Sequence, residues 1–147
     1  PTMVQDLEGH KRVSRQTGVP VSGGEHIYSK HRMREAFSLG AFDYAQPDAM
    51  RIGGITEIQK AIGMAESWFI PVVPHGGCDI HIHVALAHTA DSVPYVELLT
   101  DSEAPLLTDI LYTDYQLPKD GKAYVSQKPG LGYTLNEDAI QEFTVSD

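Results

Sequence analysis

Three short apolar runs in this sequence each end on a side chain capable of acid–base or metal chemistry. The runs "GVPVSGGE", "AFDYAQPD" and "FIPVVPH" end on Glu25, Asp48 and His75. These residues follow one another at intervals of 23 and 27 positions, a length that accommodates one strand, one helix and their connections. A buried strand needs neither a carboxylate nor an imidazole at its end for packing, so the pattern indicates a functional role at the strand ends.

The segments between these runs have the apolar spacing of amphipathic helices. We predict helices over residues 6–18, 29–40, 54–69 and 79–90, with a glycine closing each of the first two. Short buried runs that alternate with helices favour an α/β fold with a parallel sheet. Catalytic groups occupy the carboxyl ends of strands in βα barrels and in open doubly wound sheets alike, so the pattern alone does not choose between these folds.

The charge balance and the cysteine content limit the partners and the cellular setting. The 147 residues include 11 Lys and Arg against 20 Asp and Glu, a net charge of −9. Nucleic acids and anionic membranes attract basic surfaces, so we expect neither as a partner. We also expect no membrane span, because no apolar run is long enough. Cys78 is the only cysteine, which precludes an internal disulfide and favours a reducing, cytoplasmic setting.

Glu25 follows two glycines, which allow the backbone to turn tightly and to approach a ligand closely. One interpretation of Glu25 is a carboxylate that caps the next helix. The other is an oxygen ligand for a hard divalent cation such as Mg²⁺, which prefers carboxylates and keeps waters that a substrate can replace. The local pattern leaves both interpretations open.

Asp48 and His75 end neighbouring runs, so on parallel strands they would project from the same edge of the sheet. A carboxylate bonded to one imidazole nitrogen fixes the tautomer and raises the basicity of the other nitrogen, which is how a histidine becomes a general base. The alternatives are a helix-capping role for Asp48 and a structural role for His75.

Two further motifs carry weaker signals. The sequence "DIHIH" (79–83) resembles an H-x-H metal motif, but on a helix His81 and His83 would point about 200° apart. We therefore expect structural roles for both histidines. The glycines of "GGITE" (53–57) precede a predicted helix and could cradle a phosphate, although the segment has neither a G-x-G-x-x-G pattern nor a P-loop lysine.

From about residue 92 the alternation of apolar runs and helices stops. We predict a further strand in "VPYVELLT" (93–100), followed by a segment rich in turns that wraps over another part of the protein. The expected division is therefore 1–91, made of βα units, and 92–147, made of a last strand and a C-terminal tail.

At this point the motifs resemble a known family. "PVSGGEH", "FDYAQPDAMRIGGITE" and "PVVPHGG", in this order and spacing, resemble the mandelate racemase branch of the enolase superfamily, and within it the acid-sugar dehydratases of the rhamnonate dehydratase kind. "VPYVELL" (93–99) and "KPGLGYTLNEDAI" (128–140) extend the resemblance over nearly the whole chain. The combination is specific, although each motif alone would be weak.

The resemblance implies the C-terminal portion of a (β/α) barrel of the TIM type. A complete barrel takes about 250 residues, so we expect the chain to be the last part of a longer polypeptide. The preceding part would carry a capping domain, on which the tail of this chain packs, together with two further acidic metal ligands. The residue immediately before Pro1 would be one of those ligands, a glutamate.

Residue by residue, the resemblance implies that Glu25 is the third Mg²⁺ ligand and that Asp48 and His75 form the general-base dyad. Glu97 matches the family's late glutamate, an acid that hydrogen-bonds the substrate carboxylate as it becomes an enediolate. The stretch between His75 and Glu97 is slightly longer than the family pattern.

The implied function is a Mg²⁺-dependent lyase that removes the proton next to the carboxylate of a sugar acid and expels water, giving a 2-keto-3-deoxy acid. A racemase or epimerase is the alternative within the family, with a second base in the preceding part. Lactonising relatives are expected to carry a lysine where Asp48 stands. In the third alternative the 147 residues are a non-catalytic fragment that needs the rest of its barrel. We expect the complete protein to be a homo-oligomer.

Overall fold

Helices and short parallel strands alternate along the first two thirds of the chain. The computed structural model describes residues 2–99 and 108–145, and no helix within them combines the length and apolarity needed to cross a membrane. The elements in chain order are α1 (Leu7–Thr17), β1 (Ser22–Gly23), α2 (Lys30–Leu39), β2 (Tyr44–Ala45), α3 (Ala49–Ile52), α4 (Ile55–Ser67), α5 (Cys78–Leu86), α6 (Thr108–Leu111) and α7 (Glu137–Phe143). The four predicted helices correspond to α1, α2, α4 and α5, of which α5 ends before the predicted residue 90.

Side-chain caps and glycines define the ends of the first two helices. Asp6 accepts a hydrogen bond from the Gly9 amide at 2.8 Å and so caps α1, while Ser29 accepts from the Arg32 amide at 3.3 Å and caps α2. Each helix ends at a glycine in the left-handed conformation, as the sequence predicts. Because Ser29 caps α2, the interpretation of Glu25 as the cap of that helix is wrong.

The first two apolar runs form parallel strands. Ser22 of β1 pairs with Tyr44 of β2, and Gly23 pairs with Ala45. The Gln46 amide donates to the Gly23 carbonyl at 2.8 Å and continues this pairing toward the carboxyl ends of both strands. The runs are longer than the strands because only these few residues pair regularly.

The third apolar run lies parallel to β2 on the side away from β1. The Ala45 amide donates to the Pro71 carbonyl at 2.9 Å, the Val73 amide to the Ala45 carbonyl at 2.8 Å, and the His75 amide to the Pro47 carbonyl at 3.0 Å. The prolines in this run lack amide hydrogens, which limits the regular ladder to one bridge between Ala45 and Val72. Closure of the sheet into a barrel stays a prediction, as do the domain bounds 1–91 and 92–147.

The hydrophobic core lies between the strands and the helices that connect them. Helix α2 contacts α1 and α4, and the apolar stripes of α2 and α4 face the sheet. Burial of these side chains, rather than the short ladder of strand bonds, gives the three strand ends their fixed relative positions. The buried residues of this layer include Met33, Ala36, Phe37, Ala45, Ile58, Ala61, Ile62, Ala65 and Val72.

The strand predicted over residues 93–100 is wrong for residues 93–99, and residue 100 lies outside the described part. The Val72 amide donates to the Ser92 carbonyl at 2.8 Å, which joins this segment to the third run at its start. Pro94 has no amide hydrogen to donate, and no strand forms over the described residues 93–99. Further along the segment, Glu97 is held by its side chain.

The described part of the tail has its own small cluster of aromatic rings. The ring of Tyr133 lies 5.2 Å from that of Tyr112 and 5.4 Å from that of Tyr115, measured between centroids. His83 of α5 donates a hydrogen bond from Nε2 to the Leu131 carbonyl at 3.0 Å, which ties the tail to the helix. The predicted contact with a capping domain stays a prediction.

An ion-pair cluster joins α2 to the first turn of α4 and makes stability depend on pH. Hydrogen bonds from Lys30, at 2.8 Å, and from Lys60 lower the pKa of Glu57 from 4.5 to about 2. Because the folded-state pKa is lowered, the stabilisation is present above about pH 4.5 and is lost as the pH falls through about 2.

We therefore expect Glu57→Gln to lower the urea midpoint of the full-length protein near neutral pH. The difference from the unmodified protein should shrink as the pH is lowered from about 4.5 toward 2. Glu35→Gln is the control, because within residues 2–99 and 108–145 the carboxylate of Glu35 pairs only with the exposed Arg32 of its own helix and its loss should change the midpoint less. A Glu57→Gln difference that persists undiminished at pH 2 would contradict this account.

Candidate active site

The ends of the three apolar runs meet at one edge of the sheet. His75 Nδ1 lies 3.1 Å from Asp48 Oδ2, and His75 Nε2 contacts Glu25 Oε2. Asp48 is buried, whereas the side chains of His75 and Glu25 are 18% and 33% exposed, so a ligand arriving from solvent could reach the latter two. The fold thus brings the three strand-end residues that the sequence singled out into direct contact.

The two carboxylate oxygens of Asp48 make different contacts. Oδ1 accepts a hydrogen bond from the Met50 amide at 2.8 Å and so caps the short helix α3. Oδ2 faces His75 Nδ1. The capping and the dyad interpretations of Asp48 are therefore compatible, and the cap fixes the orientation in which Asp48 meets the imidazole.

The contact with Asp48 determines which imidazole nitrogen can act as a base. A carboxylate only accepts hydrogen bonds, and each nitrogen of His75 faces one. Once Glu25 turns away from Nε2, the contact with Asp48 holds the hydrogen of the neutral ring on Nδ1 and leaves the lone pair on Nε2. Glu25 Oε2 lies against this second nitrogen. A neutral imidazole has one N–H, so only the protonated ring can donate to both carboxylates at once.

Arg51 and His26 complete the surroundings of the two carboxylates, and sequence reasoning missed both. Arg51 Nε lies 3.3 Å from Asp48 Oδ2, and its Nη1 lies 3.5 Å from Glu25 Oε2. His26 Nε2 lies 3.0 Å from Glu25 Oε1. The position of Arg51 three residues after a helix-capping Asp48 is a spacing that favours such a pair, whereas the contact with Glu25 depends on the tertiary fold.

Glu97 reaches the same edge of the sheet from the segment that follows α5. Its Oε2 accepts a hydrogen bond from the Gly76 amide at 2.6 Å, and its Oε1 accepts one from Gln46 Nε2 at 3.1 Å. Gly76 directly follows His75, so the carboxylate of Glu97 lies beside the end of the third apolar run.

His81 and His83 have the structural roles expected for them. His81 donates from Nδ1 to the Gly76 carbonyl at 2.8 Å and accepts at Nε2 from the Ala49 amide at 3.0 Å, so both nitrogens of this buried ring are used. His83 holds Leu131 of the tail. At the predicted phosphate cradle, the Gly54 amide donates to the Ala49 carbonyl at 2.7 Å and is not available to a ligand.

Glu25 is the residue whose chemistry suits a magnesium ion. A carboxylate oxygen is the ligand type that Mg²⁺ prefers, and the partly exposed position of Glu25 leaves room for water and substrate oxygens. Within residues 2–99 and 108–145, no group of three or more His, Cys, Asp or Glu side chains is arranged to hold a metal ion. The carboxylate chemistry and the partial exposure of Glu25 fit one ligand of such an ion.

Parallel strands joined by helices, with an imidazole–carboxylate pair at the strand ends, define a βα-type fold with the geometry of an acid–base site. Residues 1–139 match the family model described as "Enolase C-terminal domain-like", and the chain belongs to this family. The resemblance to the enolase superfamily inferred from the three strand-end motifs is thereby confirmed.

The chain is similar to curated enzymes that act on sugar acids and their lactones. It is 30% identical over 156 residues to D-galactarolactone cycloisomerase from Agrobacterium fabrum, covering 100% of this chain and 41% of that enzyme. It is 31% identical over 140 residues to L-talarate/galactarate dehydratase from Salmonella typhimurium, covering 95% of this chain and 33% of that enzyme. The chain thus spans 33% to 41% of the length of these relatives.

A solved structure has the same fold. L-talarate dehydratase from Polaromonas sp. JS666, in complex with Mg and L-glucarate, superposes with a TM-score of 0.80 and is 29% identical. The match covers 96% of this chain and 37% of that one. The arrangement of strands and helices described above is therefore that of an enolase-superfamily segment.

Proposed function

We propose that this chain is part of a Mg²⁺-dependent dehydratase of a sugar acid, active when the chain is joined to the rest of its barrel. The observation that carries the proposal is the contact of His75 Nδ1 with Asp48 Oδ2 at 3.1 Å at the carboxyl ends of neighbouring strands. The similarity to an L-talarate/galactarate dehydratase supports the substrate class. A homo-oligomeric state and the preceding part of the polypeptide belong to the same proposal.

The first step is the removal of the proton on the carbon next to the substrate carboxylate. Nε2 of His75 takes this proton, and the electron pair of the C–H bond passes into an enediolate. Asp48 holds the reactive tautomer and stabilises the imidazolium that forms. Glu25 has to turn from His75 Nε2 toward the metal for the substrate to approach this nitrogen.

The enediolate needs stabilisation because a proton next to a carboxylate is too weakly acidic for an unaided imidazole. Glu97 hydrogen-bonds the substrate carboxylate as negative charge accumulates there. When bound, Mg²⁺ held in part by Glu25 would supply positive charge to the same oxygens, as in enolase-superfamily sites with a histidine base. The remaining ligands are proposed to come from the preceding part of the polypeptide.

The second step is the loss of the hydroxyl group on the neighbouring carbon. The proton on His75 passes to this hydroxyl, the C–O bond breaks with its electron pair, and water leaves. The resulting enol takes a proton from solvent at the third carbon, releases its hydroxyl proton to solvent, and becomes a 2-keto-3-deoxy acid. One imidazole can serve both steps if the proton and the hydroxyl leave from the same face.

Two other outcomes use the same first step. A racemase or epimerase would return a proton to the opposite face of the enediolate, which requires a second base. The similarity to a cycloisomerase adds a lactone as a possible substrate class, although Asp48 stands where a lysine is expected in lactonising relatives. In the fragment interpretation, these 147 residues alone neither fold cooperatively nor turn over substrate.

The proposal is tested by incubating the full-length protein with Mg²⁺ and a library of aldonic acids, aldaric acids and their lactones. We expect one or more aldonic or aldaric acids to give a 2-keto-3-deoxy acid and an equal amount of water. Epimer formation without keto acid would favour the racemase alternative, and consumption of lactones alone would favour cycloisomerisation. Either of these results would contradict the dehydratase proposal.

A further inference from the structure

The side chain of Gln46 lies at the candidate active site, but the proposed mechanism assigns it no role. It directly follows β2, whose last residue, Ala45, is buried in the core beneath the helices. Successive side chains of a strand point to opposite faces of the sheet. Because Ala45 faces the helices, Gln46 projects to the opposite face. Its half-buried side chain lies on the same side as the carboxylates of the site.

The amide of Gln46 connects β1 with the segment that contains Glu97. Nε2 donates to Glu97 Oε1 at 3.1 Å, and Oε1 accepts a hydrogen bond from the Ser22 hydroxyl at 3.3 Å. A carboxylate cannot donate a hydrogen bond, so the NH₂ group must face Glu97. The donor from Ser22 fits the opposite end of the amide and holds it in this orientation.

Glu97 depends on side-chain and amide donors for its position because its segment has no strand ladder. The Gly76 amide binds Oε2 at 2.6 Å, and Gln46 binds Oε1. A glutamate side chain has several rotatable bonds, and ordering it at the moment of reaction would cost conformational entropy. The Gly76 amide, next to His75, and the Gln46 side chain, at the end of β2, order the Glu97 side chain before the substrate binds.

We infer that Gln46 is a positioning residue for Glu97, oriented in turn by Ser22. The inference rests on the proposed function, since it assigns Gln46 to the glutamate that hydrogen-bonds the substrate carboxylate. Gln46 acts through Glu97 and does not itself touch the reacting atoms.

The test compares Gln46→Leu, Glu97→Gln and the double variant in the full-length protein. We expect Gln46→Leu to lower kcat by about tenfold to a hundredfold, as loss of a supporting hydrogen bond does at metal sites, with KM and Mg²⁺ affinity little changed. In the Glu97→Gln background the same substitution should change kcat by less than about twofold, because the charged carboxylate that Gln46 positions is already absent. Ser22→Ala should give a smaller loss than Gln46→Leu.

Gln46→Glu is a second variant of nearly the same shape. It places a carboxylate against Glu97, so we expect a larger loss of kcat than with Gln46→Leu. Unchanged kcat in Gln46→Leu, or a loss that adds fully to that of Glu97→Gln, would overturn the inference. Full additivity is what an unrelated structural role would give.

A measurement without turnover separates this inference from the proposed function. The ¹⁵N and ¹H signals of the Gln46 side-chain amide should shift on Glu97→Gln and also on Ser22→Ala. A protein that dehydrates no sugar acid but shows these shifts would contradict the proposed function and leave the Gln46 contact intact. Unshifted signals in an active enzyme would overturn the positioning role alone.

Discussion

Replacing His75 by asparagine in the full-length protein should abolish turnover. Asparagine keeps a hydrogen-bonding group near Asp48 but has no basic nitrogen, so neither proton transfer of the proposed mechanism can proceed. General acid–base groups contribute about 10²–10⁴-fold to a rate, and His75 serves in both steps, so we expect a loss at the upper end of this range. The measurement is kcat for keto-acid formation.

The magnesium affinity of the His75→Asn protein should stay nearly unchanged, because His75 is not a proposed ligand. Isothermal titration with Mg²⁺ therefore shows whether the site is still assembled when turnover is lost. His31→Asn is the matched control, since it makes the same substitution at an exposed position of α2. Full activity in the His75→Asn protein would rule out the dyad assignment.

Glu25→Gln should weaken Mg²⁺ binding and turnover together. The substitution keeps the shape of the side chain but removes the negative charge, and Mg²⁺ binds carboxylates in preference to neutral amides. Substitution of groups that only support a metal ligand costs about 10–100-fold in affinity, so we expect at least a tenfold rise in the Mg²⁺ dissociation constant. The titration used for the His75 variant measures this directly.

Raising the Mg²⁺ concentration should restore part of the activity of the Glu25→Gln protein but none of that of the His75→Asn protein. Glu35→Gln, at the surface of α2, controls for the general loss of one carboxylate. An unchanged Mg²⁺ affinity in Glu25→Gln would remove Glu25 from the ligand set and would leave its contacts with His75, His26 and Arg51 as its role in the site.

The sequence pattern predicted the positions of the main helices and the meeting of Glu25, Asp48 and His75. Each of these features repeats along the chain: the helices have apolar residues at helical spacing, and the polar residues end successive runs. Because successive strands are parallel neighbours, residues that end successive runs lie side by side at one edge of the sheet. The prediction succeeded because helical spacing and strand order can be read from the repeating pattern, and the apolar residues of that same pattern pack to hold the strand ends together.

Side-chain contacts across the sheet were not predictable in the same way. Arg51, His26 and Gln46 reach their partners over distances that depend on the turns after each strand and on rotamers set by packing. The strand predicted over residues 93–99 is absent for a related reason. Its apolar alternation is real, but Pro94 removes a donor and Glu97 is held through its side chain.

The measurement that tests the central claim most directly follows the substrate's C2 proton by NMR. The full-length protein and its His75→Asn variant are incubated in D₂O with Mg²⁺ and a sugar acid that the protein converts. The account predicts that the C2 proton signal of the substrate decays as the keto acid forms with the unmodified protein, and that it persists with the His75→Asn variant. Decay of this signal at the same rate with both proteins would contradict the assignment of His75 as the base.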